Sequence, residues 1–119
     1  MEKAALFVGW GALIPGREEA AAKVLQGAVE YLGRLQHEGR VDSFEPVALG
    51  PHGGDLAGFV LVRGDRQAIA ELRYSEDFVR ISTQIQRVHQ SVGAVDAFTG
   101  AEMGQYFAMW DESLEGLGS

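Results

Sequence analysis

Two carboxylates stand inside otherwise apolar runs. Asp96 interrupts Ala94–Thr99, AVDAFT, and Glu45 interrupts Val41–Leu49, VDSFEPVAL. On an edge strand such a charge discourages further strand pairing. Turned into a cavity, the same carboxylate has its pKa raised by burial and becomes a proton-transfer group. His52, in the glycine-rich stretch PHGGD, is the alternative to Asp96 as proton-transfer group, although the stretch reads equally well as pure turn. His37 and His89 fall at the ends of helical patterns, where a histidine serves as a cap or a solvated residue. No two of the three histidines stand four apart and none adjoins a carboxylate pair, so the sequence calls for no metal site and no cofactor.

Trp10 closes the first apolar run at the mouth of a turn, a position that suits a pocket wall as well as a core residue. Arg80 lies with Arg73 and Arg87 in a helical segment, either on its solvated face or at a cavity mouth that takes an anionic ligand. Asp96 and His52 are therefore the catalytic candidates, and Trp10, Glu45, Arg80 and His89 the ligand-binding candidates. Other chemistries are excluded more firmly. There is no cysteine, which removes disulfides, thiolate nucleophiles and cysteine-bound metals. Gly9–Gly16, GWGALIPG, follows a strand and opens a helix, but Ile14 stands where a dinucleotide fingerprint needs glycine.

The elements that must position these residues follow from periodicity. Leu56–Gly64, LAGFVLVRG, is the longest strand signal, and Phe59–Val62 is apolar at both parities, as in a strand buried on both faces. Ala4–Trp10 has the same character. Val41–Leu49 carries Pro46 and belongs at an edge, and Gly50–Asp55 is turn chemistry joining it to the central strand as a hairpin. Arg17–Glu38 reads as a helix with the stripe Ala21, Val24, Leu25, Ala28, Leu32 and Leu35. Asp65 is a good cap for a second helix, whose stripe slips at Tyr74–Asp77 and resumes from Ser75 with Phe78, Ile81, Ile85 and Val88. Ala94–Thr99 is the fourth strand. Ala101–Leu117 is a further helix with the stripe Met103, Tyr106, Phe107, Trp110 and Leu114.

β-α-β-β-α-β is the ferredoxin-like order. It places strands one and three at the centre of a four-stranded antiparallel sheet and both helical layers on one face. One domain is expected, with a ferredoxin-like body over 1–100 and a C-terminal helix and tail over 101–119. The other sheet face keeps apolar side chains, either Phe59 and Leu61 or Val60 and Val62. A soluble monomer does not normally expose such a surface, so a homodimer with a barrel-like interior is expected.

On the strand AALFVGW, the broken helix DRQAIAELRYSEDFVRISTQIQRVH and the closing strand VGAVDAFTG, the chain resembles the dimeric α+β barrel superfamily. Its members include small antibiotic-biosynthesis-monooxygenase-like and muconolactone-isomerase-like proteins. The second helix is split at Ser75-Glu76-Asp77 in the manner of that group. The resemblance implies a ligand cavity between helices and sheet or inside the barrel, and activity as a cofactor-independent oxygenase or isomerase on a small molecule. The alternative is a dimer without catalysis that binds a ligand or another protein.

The charge of −7 gives no basic patch for nucleic acid or anionic membrane. The apolar start after Lys3 is broken by Gly9 and Gly11 and followed by Arg17-Glu18-Glu19, unlike a secretory leader, so a cytoplasmic location is expected.

Overall fold

The computed structural model describes residues 2–115. The elements run β1 (Lys3–Trp10), α1 (Glu18–His37), β2 (Ser43–Ala48), β3 (Gly58–Asp65), α2 (Arg66–Arg73), α3 (Glu76–Val88), β4 (Gly93–Ala97) and α4 (Ala101–Glu115). The strands form one antiparallel sheet in the order β2-β3-β1-β4. The two strands that are apolar at both parities are central, and Pro46, which has no N–H to give a neighbour, lies on an edge strand.

Register settles which side chains share a face, because directly paired residues point the same way. Leu6 pairs with Val62 and with Asp96, and Val62 pairs with Phe44. Leu6 and Val62 are fully buried under the helices, in a core with Tyr31, Leu32, Leu35, Ile69, Leu72, Phe78 and Ile85. The opposite face carries the row Glu45, Leu61, Phe7, Val95 and, beside it, Val47 with Phe59. Of the two alternatives the sequence left open, Phe59 and Leu61 are thus the residues on the face without helices.

Glycine makes that face. A Cβ on Gly9 would come within 2.6 Å of the Phe7 ring. Its absence lets Phe7 lie across β1 and stack on Phe59, with centroids 5.0 Å apart.

The broken helix forms as expected at Ser75. Its Oγ accepts from the Phe78 N–H at 3.2 Å and donates to the Leu72 carbonyl at 2.8 Å, ending α2 and starting α3 with one side chain. Asp65 occupies the cap position of α2 but makes no side-chain cap. Its carboxylate is instead 2.8 Å from Lys3 Nζ, which also meets Asp42 at 2.8 Å. The competing ion pair takes the oxygen that would otherwise have met the helix.

The expected hairpin forms: β2 and β3 pair antiparallel and are joined by an irregular loop from Leu49 to Ala57. One further expectation needs correction. The α1 stripe is buried at Ala21 and again towards its C-terminal end, with an exposed stretch between. Leu32 and Leu35 are in the core with Tyr31, which lies beside the stripe, whereas Leu25 is 48% exposed and Val29 37%. The helix ends at His37, with Glu38 as its cap. Gly39 takes φ +76°, a left-handed conformation, and Arg40 N–H reaches back to the Leu35 carbonyl at 2.8 Å.

α4 follows β4 through Gly100, and none of its residues is buried. Its expected extent to Leu117 runs past the described residues.

Candidate functional site

The half-exposed part of α1 is one wall of a groove. Small residues Ala21, Ala22 and Ala28 line the helical side and leave space against the sheet. Pro46 and Ala48 of the edge strand, with Val60, form the floor. Leu25, Val29 and Leu32 line the rest of the helical side, and Ile85 closes the inner end. The cavity is about 250 Å³ and its walls are almost wholly apolar. A dry cavity of ~150 Å³ suffices for benzene, so this one has room for a one- or two-ring molecule.

Its polar groups come from Trp10 and His89. The two rings stand 6.0 Å apart, tilted by 41°. Trp10 lies over its cross-strand partner Gly58, where a Cβ would come within 2.8 Å of the indole. His89 is the residue at which α3 stops. Its position is fixed by chain that continues β1: Gly11 N–H donates to the Gln90 carbonyl at 2.7 Å and Gln90 N–H to the Ala12 carbonyl at 2.8 Å. Nδ1 of His89 lies 3.1 Å from the Gly11 carbonyl, which can only accept, so Nδ1 carries the proton. In the neutral ring Nε2 is then an acceptor, and among the described residues it has no protein partner. His89 is the one titratable side chain among the residues lining the groove.

The other candidates lie elsewhere. Asp96 shares the helix-side face but sits on β4, the edge opposite β2, and pairs with Arg73 at 3.0 Å. Arg73 also donates to the Ala94 carbonyl at 3.3 Å, which makes the pair a clasp between α2 and β4. His52 is exposed on the β2–β3 loop. Its Nδ1 accepts from Gly54 N–H at 3.2 Å and its Nε2–H donates to the Leu56 carbonyl at 2.6 Å, so both nitrogens organise the turn. Glu45 is exposed on the sheet face without helices. Arg80 pairs with Asp77 at 2.9 Å on the outer side of α3. The structure therefore brings Trp10 and His89 together and leaves Asp96, His52, Glu45 and Arg80 apart from them and from one another.

The groove's walls were the part that sequence reasoning missed. Leu25 and Ala28 appeared in a stripe taken as buried, and Val29 and Ala48 carried no signal. A run of alanines on the same side of α1, facing a proline-bearing edge strand, is the trace the groove leaves in the sequence. Among the described residues no cluster of three metal-ligating side chains occurs. No described helix is long and apolar enough to cross a membrane.

No protein-family model matches the chain, and no curated protein matches it in sequence. Solved structures do match in fold. A DABB-family protein with a ferredoxin-like fold from Mesorhizobium loti superposes with a TM-score of 0.64 at 13% identity, over 84% of this chain and 100% of that one. A dimeric ferredoxin-like protein of unknown function from Bacteroides fragilis gives 0.59 at 13% identity, over 80% and 94%. SnoaB, a cofactor-independent oxygenase from Streptomyces nogalater, gives 0.57 at 11% identity, over 85% and 98%. The chain has the ferredoxin-like α+β fold that these proteins share, and at such identities the likeness is one of fold.

Proposed function

We propose that this protein is a homodimer that binds a small apolar molecule in the groove between α1 and the β2 edge, and acts on it without a cofactor. The observation that carries the reading is the polar content of the groove: one oriented imidazole acceptor, one indole N–H, and otherwise hydrocarbon. An uncharged one- or two-ring molecule with a hydroxyl or a carbonyl matches that surface. A hydroxyl gives its proton to His89 Nε2, and a carbonyl accepts from Trp10 Nε1. An anionic ligand would place an unpaired charge against apolar walls.

The proton-transfer role comes to His89 by its position in the groove, with Trp10 as the ligand's wall. Asp96 and His52, the sequence's catalytic candidates, stand outside it. A base that removes a proton and returns it at another carbon is all that an isomerisation requires. Oxygenation without a cofactor begins with the same proton removal, and SnoaB, a structural neighbour, is an oxygenase of that kind. A second reading, ligand binding without turnover, is favoured by one observation: the groove has a single titratable group and so no separate acid.

Dimerisation covers the other sheet face. Phe7, Phe59, Leu61, Val47 and Val95 form an apolar surface on the face opposite the helix-covered core, and the Bacteroides fragilis neighbour with this fold is dimeric.

Calorimetric titration with 2-naphthol and 2-naphthoate tests the site. The naphthol binds and the naphthoate does not, and Ala28→Leu, which fills the groove, abolishes binding while the fold remains. His89→Gln separates the two readings: it removes proton exchange from an acidic C–H of the ligand if the site is catalytic. Equal binding of naphthol and naphthoate contradicts the proposal.

A further inference from the structure

We propose that α4 is an intersubunit arm, docking its aromatic stripe on the partner subunit of the sheet-to-sheet dimer. The inference rests on the dimer reading above and adds to it a second, separate contact.

α4 carries a run of large apolar side chains, and none of its described residues is buried. Met103, Tyr106, Phe107, Met109, Trp110 and Leu114 are each between 43% and 67% exposed, and among the described residues the only stacking that links them to the subunit body is that of Tyr106 on Phe98 at 4.4 Å. With ~150–250 Å² for a whole aromatic side chain, the six present on the order of 600 Å². That is the upper end of the ~300–600 Å² patch found on an ordinary monomer. The radius of gyration is 16.2 Å, against ~13.5 Å for a compact chain of this length, as expected for a helix standing away from the body.

Three observations name the second copy as occupant. First, α4 is rooted at the margin of the dimer face: Thr99, just before it, accepts from Arg63 Nη1, and Arg63 stands in the row of Ser43, Ala5 and Ala97 on the face without helices. The arm therefore continues the surface that meets the partner. Second, a stable interface buries about 800 Å² per subunit, and the arm adds its own apolar side to the patch on the sheet. Third, the polar side of α4 carries Glu102, Asp111, Glu112 and Glu115, and no lysine or arginine occurs between Ala101 and Glu115. Such a helix is repelled by an anionic membrane and presents its aromatic side to protein. The fold neighbours match 80–85% of this chain while spanning 94–100% of their own lengths. The unmatched share is about the size of the segment from Ala101 onward.

Sedimentation velocity of the full chain over a dilution series tests the arm, using wild type, Tyr106→Gln/Trp110→Gln and Phe59→Ser. The double variant changes residues exposed in the subunit, so circular dichroism stays that of the wild type. Its dimer dissociation constant rises by at least 30-fold. In a Trp10→Phe background, acrylamide quenching of Trp110 is several-fold weaker in the dimer than after dilution to monomer. A double variant that dimerises as tightly as wild type overturns the arm, and so does quenching that dimerisation leaves unchanged. A tetramer falling to a dimer also overturns it, by placing α4 between dimers. If Phe59→Ser weakens the dimer and the double variant does not, the sheet-face reading stands and the arm alone falls. A wild type that stays monomeric at 100 µM or above, in the order of the highest usual working concentrations, overturns both.

Discussion

His89 Nδ1 lies 3.1 Å from the carbonyl oxygen of Gly11, so the last residue of the α3 unit takes its orientation from the chain leaving β1. The two segments approach so closely that a Cβ on Gly11 would come within 2.8 Å of the Gln90 carbonyl. Backbone cannot yield as a flexible side chain can. Gly11→Ala therefore separates the segments, costing about 1–3 kcal/mol as an overpacked site, and frees the imidazole to take either tautomer. Urea midpoints give the stability loss, and the ¹⁵N shifts of His89 report the tautomer. Unchanged ¹⁵N shifts would mean that Gly11 does not set the base.

The corresponding change on the other face behaves differently. A Cβ on Gly9 meets the far end of the Phe7 side chain, which can swing away. Gly9→Ala keeps the subunit folded but lifts Phe7 from Phe59, losing a ring pair of about 0.5–1.5 kcal/mol in each subunit. The displaced ring also spoils the fit of the face to a partner, so the dimer dissociation constant rises. Sedimentation equilibrium measures it.

Ser75 holds the break between α2 and α3 with one hydroxyl. Ser75→Ala removes the cap at Phe78 and the bond to Leu72, and costs about 1 kcal/mol. Ser75→Asp restores the acceptor and recovers most of the loss. Thermal unfolding of the pair shows whether the serine acts as a cap or only as a small residue at a bend.

Lys3 lies between Asp42 and Asp65, and hydrogen bonds first to Asp42 and then to Asp65 raise its pKa well above the ordinary lysine value. A pKa raised in the folded state contributes stability that is complete below the unfolded value, ~10.4, and is lost as pH climbs through the folded one. The stability difference between wild type and Lys3→Met is therefore constant from pH 7 to 9 and narrows above about pH 10.4. Because Lys3 is half exposed, salt also narrows it. Urea midpoints of both proteins across that range check the direction.

The sheet was legible because its evidence is local. Both-parity apolar runs mark β1 and β3, Pro46 marks an edge, and Ser75 restarts a helical period. The site was not legible, because it consists of space. Leu25 and Leu32 have the same place in a stripe and both border the groove, yet only Leu32 is also in the core, and the difference depends on how far α1 stands from β2. Asp96 drew attention as a charge in an apolar strand, and its partner Arg73 lies 23 residues away in sequence. His89 looked like a helix-end residue, which it is. Its pairing with Gly11, 78 residues distant, is visible only once the chain has folded.

The account turns on the groove, and an amide and imidazole NMR titration with 2-naphthol addresses it most directly. The prediction is saturable shifts at Leu25, Ala28, Val60 and Trp10 together with a shift of His89 Nε2, all lost in Ala28→Leu. Shifts gathered instead on Phe7, Phe59 and Leu61, or none at millimolar naphthol, would contradict it.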